Sequence, residues 1–135
     1  MVTNGYSRPA YERLRFYNNI CAIRRMVYQI TKRFEKMNLR LVGQMRDAAR
    51  SAKQNIREGY RKDSAHEFGR YIKISAGSLS ELEGDVDDCH EDQLITREEY
   101  GTLKDLIGRT NYQIDRYLEA LYKMNREGRW KKRFN

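Results

Sequence analysis

Hydrophobic residues recur along this chain at intervals of three and four, so it reads as a series of amphipathic helices separated by short breaks. Phe16, Ile20, Ile23, Val27, Ile30 and Phe34 keep that rhythm and fall on one stripe of a helix running from about Pro9 to Lys36. Proline suits a first helical turn, where its missing N–H would have no partner in any case. Met45, Ala48, Ala49, Ala52 and Ile56 mark a second helix from about Leu39 to Arg61, with Asn38 as its expected N-cap and alanines small enough to admit a close neighbour. Ser64-Ala65-His66-Glu67 has the form of a capping box, in which hydroxyl and carboxylate satisfy the orphan amides of a helix start. Phe68, Tyr71 or Ile72, Ser75, Leu79, Leu82, Val86 and Cys89 then descend one side of a third helix to about His90. Gly77 and Gly84 share a face of it, each costing about 1 kcal/mol against alanine, and the simplest compensation is a close helix–helix contact there. Thr96-Arg97-Glu98-Glu99 is a second capping box, and Leu103, Leu106, Ile107, Thr110, Ile114, Tyr117 or Leu118, and Leu121 give the fourth helix its stripe until the pattern fades by Asn125.

Four amphipathic helices with short connections predict an all-α fold, an antiparallel up-down-up-down four-helix bundle. No internal repeat supports a solenoid. The expected organisation is an N-terminal tail over 1–8, the bundle over 9–125 and a basic-aromatic C-terminal tail over 126–135. At 135 residues, 39% hydrophobic and 34% charged, the chain has one domain's worth of core and needs no metal, disulfide or other cofactor to fold. Apolar residues are too plentiful for a disordered tail, and nine glycines with one proline are too few for the turns of a β-sandwich. Cys21 and Cys89 lie within helical patterns beside apolar neighbours and read as buried, reduced thiols of a cytoplasmic protein. No apolar run approaches the ~18 residues of a membrane span, and the first residues hold no signal-peptide core, so no membrane partner is expected.

A net charge of +8 favours an anionic partner, nucleic acid before membrane, and the placement of charge sharpens this. Residues 1–36 carry a net +6, residues 37–63 a net +4, residues 64–100 a net −7 and residues 101–135 a net +5. On the second helix Arg46, Arg50, Lys53, Arg57 and Arg61 form a row beside the apolar stripe, about 22 Å long at 1.5 Å per residue. Like charges so spaced repel, which an anionic ligand would relieve; a solvated face is the plainer alternative. Arg24, Arg25, Lys32 and Arg33 extend the surface from the first helix. In the tail, Arg126, Arg129, Lys131, Lys132 and Arg133, with Trp130 and Phe134, combine phosphate-binding charge with rings able to stack on bases, a solubilising end or membrane-surface anchor being the alternative. Tyr28, Tyr71, Tyr112, Tyr117 and Tyr122 are expected to pack into the core or an interface.

Catalytic chemistry is thinly represented. His66 and His90 stand apart from any nucleophile motif, and phosphate-loop, dinucleotide and serine-elbow patterns are missing, so an enzyme is not expected. Glu81, Asp85, Asp88 and Asp92 line up on the third helix. The sequence from Asp85 lacks a calcium loop's glycine and closing glutamate, having His90 and Thr96 there, and salt-bridging to a basic helix or subunit is the better reading. An acidic face meeting the basic face of a second copy would give a heterologous contact, which generates a ring when the rotation closes.

Gln44-Met45-Arg46, Ala48-Ala49, Ser51, Asn55-Ile56, Glu58-Gly59-Tyr60, then Glu67-Phe68, Arg70-Tyr71-Ile72, Gly77-Ser78-Leu79 and Glu81-Leu82-Glu83 resemble the 23S rRNA intervening-sequence protein family. The resemblance covers about residues 12–122. It implies a four-helix protomer assembled as a cyclic homo-oligomer, a pentamer, with a basic surface. A related branch, the accessory variability determinant of diversity-generating retroelements, implies a reverse transcriptase as protein partner. Lys53 and Arg57 depart from the proline and apolar residue more usual in the family, which strengthens the basic row. The expected function is a non-enzymatic adaptor that binds RNA or DNA largely independently of sequence. The alternative is a protein–protein scaffold whose basic face docks an acidic partner.

Overall fold

Residues 10–130 are described by the computed structural model, and most of them lie in four α-helices: α1 Arg15–Thr31, α2 Leu39–Tyr60, α3 Ala65–Glu91 and α4 Arg97–Arg126. Among the described residues there is no strand. Each helix packs against its sequence neighbours, and α1 closes the bundle against α4. The pairings run antiparallel throughout. Met45 of α2 meets Cys89 of α3, while Ala52 accepts a hydrogen bond from Ser75 at 2.6 Å. Phe16 of α1 packs on Tyr117 of α4, while Asn19 reaches Gln113. The up-down-up-down bundle follows.

The second, third and fourth helices begin and end within a residue or so of the sequence reading, whereas the first is broken. Pro9 lies outside the described residues, a 3-10 turn occupies Ala10–Arg13, and Leu14 is extended (φ −75, ψ 131) before α1 starts. After Thr31 the chain tightens into a second 3-10 segment, Lys32–Met37, with Phe34 off helical geometry. Thr31 and Phe34 are nonetheless both buried. A 3-10 turn eclipses residues three apart, so the apolar rhythm continues although the α-helix does not. Asn38 does occupy the N-cap position of α2, but its side chain turns back to donate to the Phe34 carbonyl at 3.2 Å instead of capping α2.

The capping signals behave as the hydroxyl chemistry dictates. Ser64 Oγ accepts from the Glu67 amide at 3.1 Å, and the Thr96 box closes in both directions, at 3.0 and 2.9 Å. Alanines at 48, 49 and 52, all buried, keep α2 close enough to α3 for the buried Ser75 hydroxyl to reach the Ala52 carbonyl. The expected close contact at Gly77 and Gly84 is not there: both are exposed, and a Cβ at either would meet open space. The tight approaches are at Gly59, against Tyr71 and Phe68, and at Gly69, against Tyr122.

At one end of the bundle Arg33 holds Glu99 through two hydrogen bonds, 2.6 and 2.9 Å, and also donates to the Leu94 carbonyl. The guanidinium, helped by the Thr96 amide, keeps the Glu99 carboxyl at about 2, against an ordinary 4.5. A carboxyl depressed on folding stabilises fully above its unfolded value and loses that contribution as pH falls through its folded one. Arg33 is half exposed, so screening reduces the effect to about 1 kcal/mol. Urea unfolding should show the wild-type protein losing about that much more stability than Glu99→Gln between pH 5 and pH 2, glutamine keeping the capping acceptor without the titration.

Candidate nucleic-acid interface

The basic row of α2 is set by contacts with α1. Tyr11 packs against Tyr60, and Arg46 lies over the Tyr28 ring at 4.3 Å, which fixes the antiparallel register and places the row on the α1 flank of α2. In that register Arg24 of α1 stands level with Arg50. Arg57 sits near Tyr17, where its charge partly opposes the burial and the Cys21 thiol that push the Tyr17 hydroxyl upward. Arg50 and Arg57 are exposed and Lys53 is half-buried; none has a carboxylate partner among the described residues. Arg61 is exposed, with only a 4.0 Å approach to Glu58. An open groove of about 420 Å³ lined by Gln54, Asn55, Arg57, Glu58 and Arg61 continues the surface at the end of α2.

Arg46 is removed from the row. Its guanidinium meets the Glu35 carboxylate at 3.0 Å and donates to the buried Thr31 hydroxyl at 3.0 Å, with the Tyr28 ring beneath. Thr31 Oγ1 in turn donates to the Val27 carbonyl at 2.7 Å, so Arg46 pins the end of α1 and its 3-10 extension onto α2. Losing these bonds while Glu35 stays half-buried should destabilise Arg46→Gln by about 1–2 kcal/mol, read as a lowered Tm by calorimetry.

Other predicted positions separate. Arg25 is exposed, but one residue on from Arg24 it is turned 100° further round α1. Arg129 is engaged by Glu127, and Trp130 packs part-buried against the core, so neither is free for a ligand in the way expected. Lys131, Lys132 and Arg133 lie outside the described residues. Of the tyrosines, Tyr71, Tyr117 and Tyr122 are part-buried as expected, whereas Tyr28 and Tyr112 are 46% and 63% exposed. Tyr112 stands two residues before the core residue Ile114, a 200° rotation that already placed it on the outer side of α4.

The opposite flank of α2 is acidic. Asp47, Glu81 and Asp85, with Gln44, Ser51 and Ser78, line an open groove of about 450 Å³ between α2 and α3. Burial, then repulsion from Asp88 and Glu81, pushes the Asp85 carboxyl upward. On the far side of α3, Glu83 and Asp87 are held by Lys104 at 2.9 and 3.0 Å, and His90 is stacked on Tyr100. Among the described residues no three or more His, Cys, Asp or Glu are grouped to hold a metal ion. Among the described residues no helix is long and apolar enough to cross a membrane.

The fold and its charge thus define an all-α, four-helix protein with an uncompensated basic flank and an acidic groove on either side of one helix. The family described as 23S rRNA-intervening sequence protein matches residues 12–116, and the chain belongs to that family. No curated protein matches the chain significantly.

Proposed function

We propose that this protein is a non-enzymatic RNA-binding adaptor, gripping the phosphate backbone along the α1/α2 flank with Arg50, Lys53 and Arg57, helped by Arg24 and Arg61. The reading is carried by one observation: three successive cations of α2 on one flank without a carboxylate partner among the described residues. Membership of a family named for rRNA intervening sequences supports RNA as the polyanion. Contacts to phosphates carry no sequence information, so binding through this flank is largely independent of sequence, and DNA phosphates would be held by the same contacts. Fluorescence anisotropy with a labelled single-stranded RNA at several salt concentrations tests it. Five phosphate contacts give a log–log slope of about −3.5. A flat salt dependence, or no binding, overturns the proposal. Arg46→Gln should bind RNA like the wild type, since Arg46 is spent on Glu35.

The acidic α2/α3 groove supports a further reading, self-assembly. One copy's basic flank complements another's Asp47, Glu81 and Asp85, and such a head-to-tail contact gives a ring where its rotation closes, as in the pentamer implied by the resemblance. That contact would make the protein a scaffold if it consumed the whole basic flank. Light scattering before and after nuclease treatment, with the 260-to-280 nm ratio, separates the two: a ring that holds its mass without nucleic acid and ignores added RNA is a scaffold. A reverse transcriptase, the partner the resemblance implies, is the first protein to test for co-purification.

A further inference from the structure

The side of the bundle formed by α1 and α4 holds an open groove of about 560 Å³, lined by Arg15, Phe16, Tyr112, Gln113 and Arg116 among others. Its contents differ from those of the basic flank. Tyr112 is 63% exposed, a large ring left in solvent on the outer side of α4. Arg116, one turn further on, donates to the Tyr112 hydroxyl at 3.3 Å and so steadies the ring by its edge. The Glu119 carboxylate approaches Arg116 only to 3.6 Å with both side chains exposed, a weak pair. Arg15 has no carboxylate partner among the described residues. Gln113 accepts a hydrogen bond from Asn19 at 3.1 Å through its oxygen, which orients its own amide donors elsewhere.

An exposed ring, two guanidinium groups and a planar amide together suit a ligand that is both planar and anionic. A lipid surface would call for a broader apolar face, and an acidic peptide would leave the ring without a stacking partner. We propose that this groove is a stacking subsite for one unpaired RNA base, with Tyr112 against the base and Arg15 and Arg116 on the flanking phosphates. The proposal rests on the RNA-binding reading and adds to it. Because the groove lies on the α4 side of α1 and Arg50 on the α2 side, a strand engaging both passes around α1.

Stacking and phosphate contacts are separable with an abasic probe. Fluorescently labelled twelve-residue oligouridine and an abasic oligomer of equal length are titrated against the wild type, Tyr112→Leu, Tyr112→Trp and Arg50→Gln. The wild type should prefer the base-bearing strand by about tenfold, the size of one stacked base. Tyr112→Leu should erase that preference while leaving the abasic affinity and the salt slope unchanged, and Tyr112→Trp should keep or enlarge it. Arg50→Gln should weaken both probes alike. Equal wild-type affinity for the two strands, or a preference that survives Tyr112→Leu in a folded protein, overturns the subsite while leaving phosphate binding intact. Tyr112-dependent binding of a polyglutamate peptide also overturns it, in favour of a protein ligand. If neither strand binds, the RNA-binding reading itself fails.

Discussion

Replacing Arg50, Lys53 and Arg57 together with glutamine is expected to weaken RNA binding about a hundredfold at 0.1 M monovalent salt. Each cation on a single strand contributes about 0.7 to the salt slope, so three contribute about 2. At 0.1 M, one decade below the 1 M reference where counterion release vanishes, two units of slope amount to about 100-fold in affinity. Stability should move the other way. The side chains have no ion-pair partner among the described residues, so their neutralisation breaks no pair and relieves repulsion along the helix, with a net change within about 0.5 kcal/mol. Binding therefore collapses in a protein whose melting curve is unchanged or slightly raised. Arg46→Gln gives the opposite pattern, a lower Tm with binding retained. Were both variants to bind RNA like the wild type, the α1/α2 flank would not be the phosphate-binding surface.

That pair of variants also marks what the sequence could and could not disclose. Helix boundaries at Ser64 and Thr96 were legible because a cap is a local event, settled by a hydroxyl and the amide three residues on. The apolar stripes of α2, α3 and α4 were legible because angle around a helix follows from spacing alone. The fate of Arg46 was not, since its partner Glu35 lies across the turn between helices. Periodicity gives the direction in which a side chain leaves its helix but not what the neighbouring helix presents there. The same gap explains Gly77 and Gly84, whose shared face was evident while its openness was not, and Tyr112, whose outward angle was available but was outweighed by the general tendency of tyrosines to pack. The break before and after α1 was invisible for a different reason. A 3-10 turn preserves the three-residue spacing that the apolar pattern records.

The largest stability effect is expected at Gly59, where α2 meets α3 tightly. A Cβ there would stand 2.5 Å from Tyr71 Cβ and 3.2 Å from Phe68 Cδ1. The first is fixed to the α3 backbone and the second belongs to a ring only 2% exposed, so neither can swing aside and the helices must part. Alanine recovers about 1 kcal/mol of helix propensity against an overpacking cost of about 1–3 kcal/mol, a modest net loss. Valine adds two γ-carbons and gives back most of the propensity gain, so Gly59→Val should lose about 3 kcal/mol or more, a fall in Tm of roughly 10–15 °C for a chain of this size. Gly69 is tight too, but against the hydroxyl end of Tyr122, which a rotation can move, so Gly69→Ala should cost far less. Gly77→Ala enters open space and should raise the Tm of an isolated protomer by the propensity gain alone. If a second copy packs on that face, the same substitution should instead reduce the mass measured by light scattering, so Gly77 reports on assembly while Gly59 reports on the bundle. A Gly59→Val protein melting with the wild type would show that α2 and α3 do not approach this closely in solution.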